Sequence, residues 1–193
     1  MKKNNKISIY SLTIVGVILI LNSSFENRSI ISVLEIGQTY QGGKIFYILQ
    51  PGDPGYDSKV QHGLICALSD QSTGAPWGCE GVEITGADGT AIGTGNKNTK
   101  DIIAACKSAG IAARLCGDLV SDGYSDWYLP SKDELNKLFI ARNSIGNIAR
   151  EVYWSSSEYE NSAELVWFQH MGNGMQASFD KDSKQYVRAI RSF

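Results

Sequence analysis

Apolar and polar positions change period along the chain. Lys44–Leu49 (KIFYIL) is dense in β-forming residues and opens after Gly42-Gly43; Leu64–Leu68 (LICAL), entered through Gly63, is a second buried strand. Between them, Gln50–Asp57 (QPGDPGYD) is a turn cluster. From Ser69 to Gly95, Gly, Thr, Ser and Asp dominate and no period is visible. So long an irregular stretch in a compact domain is either functional or tied down by bonds.

Helical spacing then takes over. Asn98 is placed to cap a helix, with Asp101 in the position of a capping-box acid, and Ile102, Ile103 and Cys106 form its apolar face. A second short helix is predicted over Ala112–Val120, and Asp126–Leu129 (DWYL) reads as a strand running into Pro130. Ser131-Lys-Asp-Glu134 is a full capping box, followed at helical spacing by Leu135, Leu138 and Phe139. After Gly146 strands return at Val152–Ser155, Leu165–His170, Met175–Phe179 and Tyr186–Ile190, with a hairpin turn at Gly172-Asn173-Gly174. Strands at both ends with helices between them predict an α+β fold with an antiparallel sheet, two or three helices and long Gly-rich loops.

The first residues change the picture of where the protein works. Lys2, Lys3 and Lys6 precede an uncharged stretch over Ile7–Phe25, apolar at its centre and followed by Ser23 and Ser24. This reads as a secretion signal over residues 1–24, then a leader over 25–36 and a domain over 37–193. Asn22 fits the small-residue cleavage rule poorly, so an uncleaved N-terminal anchor stays open as the one route to a membrane. Removing residues 1–24 takes away three Lys and no acid, moving the formal charge from -2 to -5. An acidic body lacks the basic footprint of a nucleic-acid binder. Four cysteines (Cys66, Cys79, Cys106 and Cys116) in an exported chain suggest two disulfides. The local pairs Cys66–Cys79 and Cys106–Cys116 are favoured, against the alternative of four buried thiols.

Six fragments in order suggest a family: Tyr40-Gln-Gly-Gly43, His62-Gly-Leu64, Thr90-Ala-Ile-Gly-Thr-Gly95, Asp126-Trp-Tyr-Leu-Pro-Ser131, Tyr153-Trp-Ser-Ser-Ser-Glu158 and Val187-Arg-Ala-Ile-Arg191. Residues 37–193 thereby resemble the C-terminal domain of the Legionella collagen-like adhesin. The resemblance implies a distant relation to C-type-lectin-like folds, including the formylglycine-generating enzymes, through the Leu129–Ser131 turn and the closing Val187–Arg191 segment. It also implies binding to sulfated glycosaminoglycans, an activity that this acidic body without a collagen-like repeat does not obviously share. The Glu-Pro-Asn and Trp-Asn-Asp motifs of calcium-dependent lectins have no counterpart, and neither has the C-terminal cysteine pair of the formylglycine enzymes.

Candidate chemistry is sparse. His62 and His170 are the two histidines, and zinc at His62 and Cys66 would need two further ligands. Gly93-Thr-Gly95 falls short of a dinucleotide fingerprint, and Ser155–Ser157 lie in a strand without a nucleophile elbow. The loop over Thr85–Lys100 offers Asp88, Thr90, Thr94, Asn96 and Asn98 as oxygen donors, but one carboxylate is too little charge for tight calcium binding. Of four Trp, Trp77 lies in a Gly/Pro loop and is the candidate sugar-stacking platform, whereas Trp127, Trp154 and Trp167 read as core. Arg188 and Arg191, three apart on a strand, should face opposite sides, one of them buried and paired with Asp126 or Glu158. The expectation is an exported, non-enzymatic binding module without cofactor or metal. Trp77, Asp88, Thr90, Thr94, Asn96 and Asn98 would meet a glycan or cell-surface protein, and a homo-oligomer is compatible. The rivals are an enzyme related to the formylglycine-generating fold and a structural envelope protein.

Overall fold

The structure is a computed structural model that describes residues 33–160 and 162–193. The signal segment expected over 1–24 and most of the leader lie outside the described residues. Nine strands and three helices are seen in this range: β1 (Thr39–Tyr40), β2 (Gly43–Ile48), β3 (Gly63–Ala67), β4 (Ser72–Pro76), α1 (Gly95–Ala105), α2 (Ala112–Gly117), α3 (Lys132–Ile145), β5 (Val152–Glu158), β6 (Leu165–His170), β7 (Gln176–Asp180), β8 (Lys184–Val187) and β9 (Ile190–Ser192). They build two sheets, ordered β1-β2-β3-β9 and β4-β8-β5-β6-β7. The fold is α+β, and strand pairing is antiparallel except between β5 and β8, which run parallel.

Strand β3 explains why its sequence shows no alternation. Ile65 and Ala67 belong to a core shared with Ile102, Ala112, Cys116 and Trp154, while Leu64 and Cys66 join a second core with Leu135 and Leu138 of α3. Both faces are covered, so every position is apolar or small. The second core lies against α3, whose start is as expected. Ser131 Oγ accepts from the Glu134 amide, and Glu134 returns a bond to the Ser131 amide.

Several expectations are corrected. The stretch Ser69–Gly95 contains β4, whose Ser72, Thr73 and Gly74 give little apolar signal. Asn98 does not cap a helix; α1 begins earlier, at Gly95 after Thr94, and Asn98 is buried in its first turns. Gly is required at that start, because a Cβ on Gly95 would lie 2.3 Å from Glu134 Oε2 and 2.9 Å from the Leu129 carbonyl. Helix α2 stops at Gly117, short of Val120, and the DWYL segment makes a single bridge, Tyr128 to Ile190, in place of a strand.

The favoured cysteine pairs are also wrong. The disulfide joins Cys79 to Cys106, with Cα atoms 5.7 Å apart, and Cys66 and Cys116 are buried free thiols. Cys66 sits in the core facing α3, whereas Cys79 packs on the other core, which contains Cys106 and Cys116. Cys66 and Cys79 thus belong to different cores, while Cys106 shares its core with both Cys79 and Cys116 and is bonded to Cys79. Positive φ at Gly78 (110°) and Cys79 (51°) turns the chain toward the end of α1, where Cys106 stands.

The arginines depart from expectation for a related reason. Residues 188 and 189 belong to no strand, because the chain leaves one sheet at Val187 and enters the other at Ile190. Strand alternation lapses there, and both side chains turn inward. Arg188 donates to Asp70 (2.7 Å) and to the Ala67 carbonyl, while Arg191 forks onto both oxygens of Asp126 (2.6 and 2.9 Å). The Arg191 guanidinium holds the Asp126 carboxyl below the usual carboxylate range. Glu158 has a different partner, the fully buried Lys181.

Candidate functional site

The Gly-rich loop between Ile84 and Gly95 is held almost atom by atom. Glu158, at the end of β5, accepts from the Ile84 amide (2.9 Å) and pairs with Lys181 Nζ, which also donates to the Val82 carbonyl (2.6 Å). Burial pushes the Glu158 carboxyl up, and the contact with Lys181 opposes that shift. The Glu158 amide donates to the Ala87 carbonyl (2.8 Å), Ser157 Oγ donates to the Gly89 carbonyl (2.7 Å), and Asn98 Nδ2 donates to the same carbonyl (2.6 Å). Ser131 Oγ reaches the Ala91 carbonyl (2.9 Å), and Glu134 accepts from the Gly93 amide (2.9 Å).

The register of β5 against β6 shifts between Trp154 and Glu158, at the three serines. All three are buried. Ser155 Oγ donates to the Trp167 carbonyl (2.8 Å), Ser156 accepts from Asn98, and Ser157 serves the loop. The serine run is therefore a polar seam that gives a loop without regular structure its fixed course.

This anchoring scatters the residues singled out in the sequence. Trp77 is the clearest correction. It follows β4 into the core, is fully buried, and donates from Nε1 to the Ser155 carbonyl (2.8 Å), so it offers no platform. Asn98 is buried as described. Thr94 turns its hydroxyl to the Ala91 carbonyl (2.7 Å). Asn96 lines a separate pocket of about 330 Å³ with Thr99, Lys100 and Asp126. His62 faces the Phe193 carbonyl through Nδ1 (3.1 Å) and Cys66 is sealed in the core. Only Asp88 and Thr90 come together.

They do so on a cleft of about 580 Å³, whose other walls are Lys132, Glu158, Tyr159, Glu160 and Trp167. Trp127 and Trp154 are core as expected, but Trp167 is half-buried at this surface. Strand β6 buries Val166 and Phe168 on one side and leaves Leu165 and Trp167 toward the other. The Trp167 ring meets Tyr159 at 5.0 Å between centroids with a 42° tilt. The Lys132 ammonium stands 3.6 Å from the Trp167 ring centroid. Lys132 is the first residue of α3, and its backbone is pinned on both sides: its amide donates to Ser157 Oγ (3.1 Å), and its carbonyl accepts from Gln176 Nε2 (2.9 Å).

Chemically the cleft combines an aromatic wedge, two exposed carboxylates (Asp88 and Glu160), a hydroxyl and one ammonium. Of these, Trp167, Tyr159, Lys132 and Glu160 were not anticipated. The alternation in Leu165–Phe168 was a usable signal for Trp167, but it was blurred because both faces of β6 carry apolar residues. A family model described as the Lcl C-terminal domain matches residues 67–191. Among curated proteins no sequence matches the chain.

Proposed function

The chain belongs to the Lcl C-terminal domain family, and from that premise we propose that it is an exported, non-catalytic recognition module. In this reading the cleft between the Asp88–Thr90 loop and the Tyr159–Trp167 wedge takes a glycan or a carbohydrate-like group. One observation carries the proposal: two aromatic rings in contact, one of them on a strand, are presented beside oxygen donors on a loop fixed by buried hydrogen bonds. Sugar rings are recognised by that combination, C–H faces on an aromatic ring and hydroxyls to carboxylate and hydroxyl groups. The pre-formed loop means little ordering entropy is lost on binding. Export is supported by the basic and apolar N-terminal sequence and by the Cys79–Cys106 disulfide, which is at home in an oxidising compartment. No helix of the described residues is long and apolar enough to cross a membrane.

A glycan panel spanning neutral, sulfated and amine-bearing oligosaccharides tests this directly. Binding to at least one class is expected, weakened about tenfold or more by Trp167→Ala, since an aromatic contact contributes roughly 1 kcal/mol beyond its area. Silence of the folded protein across all three classes, or binding indifferent to Trp167→Ala, overturns the assignment.

A further inference from the structure

Trp167 is not vacant in the free protein. The Lys132 ammonium covers it at 3.6 Å, within the range where a cation is held by the ring quadrupole. The ammonium pairs with the ring and with no carboxylate of the cleft it lines. Asp88 and Glu160 line the same cleft, yet neither forms an ion pair with Lys132 or any other group among the described residues. The third carboxylate, Glu158, is already matched by buried Lys181. The cleft therefore carries two unmatched negative charges and one ammonium, and that ammonium belongs to the protein's most flexible kind of cationic side chain. The backbone of Lys132 is fixed at the head of α3, so the four-carbon stem can swing its head into solvent without disturbing the helix or the wedge.

We propose that Lys132 is a built-in occupant of an ammonium site, and that the ligand carries a protonated amine which displaces it from Trp167. The inference rests on the recognition role of this cleft and narrows it to cationic ligands, of which an oligosaccharide of free amino sugars is the glycan form. On displacement, the incoming amine meets Trp167 and Tyr159 with Asp88 and Glu160 at the rim, and Lys132 leaves a like charge behind only if it stays close. Lys132 is thus a gate that lowers affinity. A polyanion would use the same residue in the opposite sense, as its one cationic contact.

The experiment uses the full chain, a fully deacetylated glucosamine trimer at a pH where its amines are protonated, the N-acetylated trimer, and a heparin oligosaccharide of similar length. Binding is read by Trp fluorescence and calorimetry, with melting curves as the folding control. The deacetylated trimer should bind wild type at least about tenfold more tightly than the N-acetylated one. Lys132→Ala should raise its affinity about five- to tenfold, and Trp167→Ala should abolish it. Equal or tighter binding of the N-acetylated trimer overturns the amine preference while leaving the cleft as a glycan site. Heparin binding that Lys132→Ala weakens overturns the gate, making Lys132 an anion contact. No binding of any probe to any folded variant removes both this inference and the recognition role beneath it.

Discussion

Cys66 and Cys116 carry the sharpest residue-scale consequence of the fold. Both thiols are fully buried; burial pushes that of Cys66 up to about 11 and raises that of Cys116 as well, so neither supplies a thiolate near neutral pH. A thiol reagent should therefore find no reactive group in the native protein, two in denaturant and four after reduction. Two separate disulfides would give none in denaturant, and a catalytic cysteine would react before unfolding; either count contradicts this arrangement. At this scale sequence was a fair guide to residue type and a poor one to partner. That one of the two arginines is buried against Asp126 was legible from charge, as one of four pairings, but not that it is Arg191. That Arg188 pairs with Asp70, or Glu158 with Lys181, depends on separations of 118 and 23 residues that no local pattern encodes. Trp77 failed for the same reason: its loop setting was visible, but the weak strand that carries it into the core was not.

Among the elements, helix α3 was legible almost to the residue, because a capping box is a local device and Ser131 and Glu134 form it among themselves. What the motif did not reveal is that Glu134 serves two elements. One oxygen takes the Ser131 amide and the other the Gly93 amide, fastening the cleft loop to the helix. Removing the side chain orphans two donors, and Glu134→Ala should cost about 2–3 kcal/mol in denaturant unfolding. The pH dependence has a definite sign. Burial outweighs the backbone donors and raises the Glu134 carboxyl, so the folded chain binds that proton more tightly than the unfolded one. Its contribution is complete below the ordinary carboxylate range and is lost as pH rises through the native value, so the cost of Glu134→Ala should be larger near pH 4 than near pH 7. A cost that is equal at the two pH values, or greater at the higher one, contradicts a buried carboxyl in this role.

Across the whole molecule, the α+β class was readable, but the way the sheets share the chain was not. The passage from one sheet to the other at Arg188–Ala189 and the parallel β5–β8 pair are decided by long-range packing. This division bears on what the disulfide is for. Cys79–Cys106 ties the chain after β4 to the end of α1 across 27 residues of sequence, so it encloses the whole cleft loop. Yet the loop's course over Ile84–Gly93 is fixed by Glu158, Ser157, Asn98, Ser131 and Glu134, none of which depends on the sulfur bridge. Stability and site shape should then separate. Opening a loop of this length removes about 3–4 kcal/mol by restoring chain entropy to the unfolded state, which for a domain of this size lowers Tm on the order of 10 °C. Ligand affinity at the Trp167 cleft, measured well below the new Tm, should stay within about twofold, because the polar seam still holds the walls. Melting and titrating the Cys79→Ala, Cys106→Ala double variant checks both halves at once. A cleft that loses its ligand while the fold stays intact would mean that the bridge, and not the hydrogen-bonded seam, sets the shape of the site.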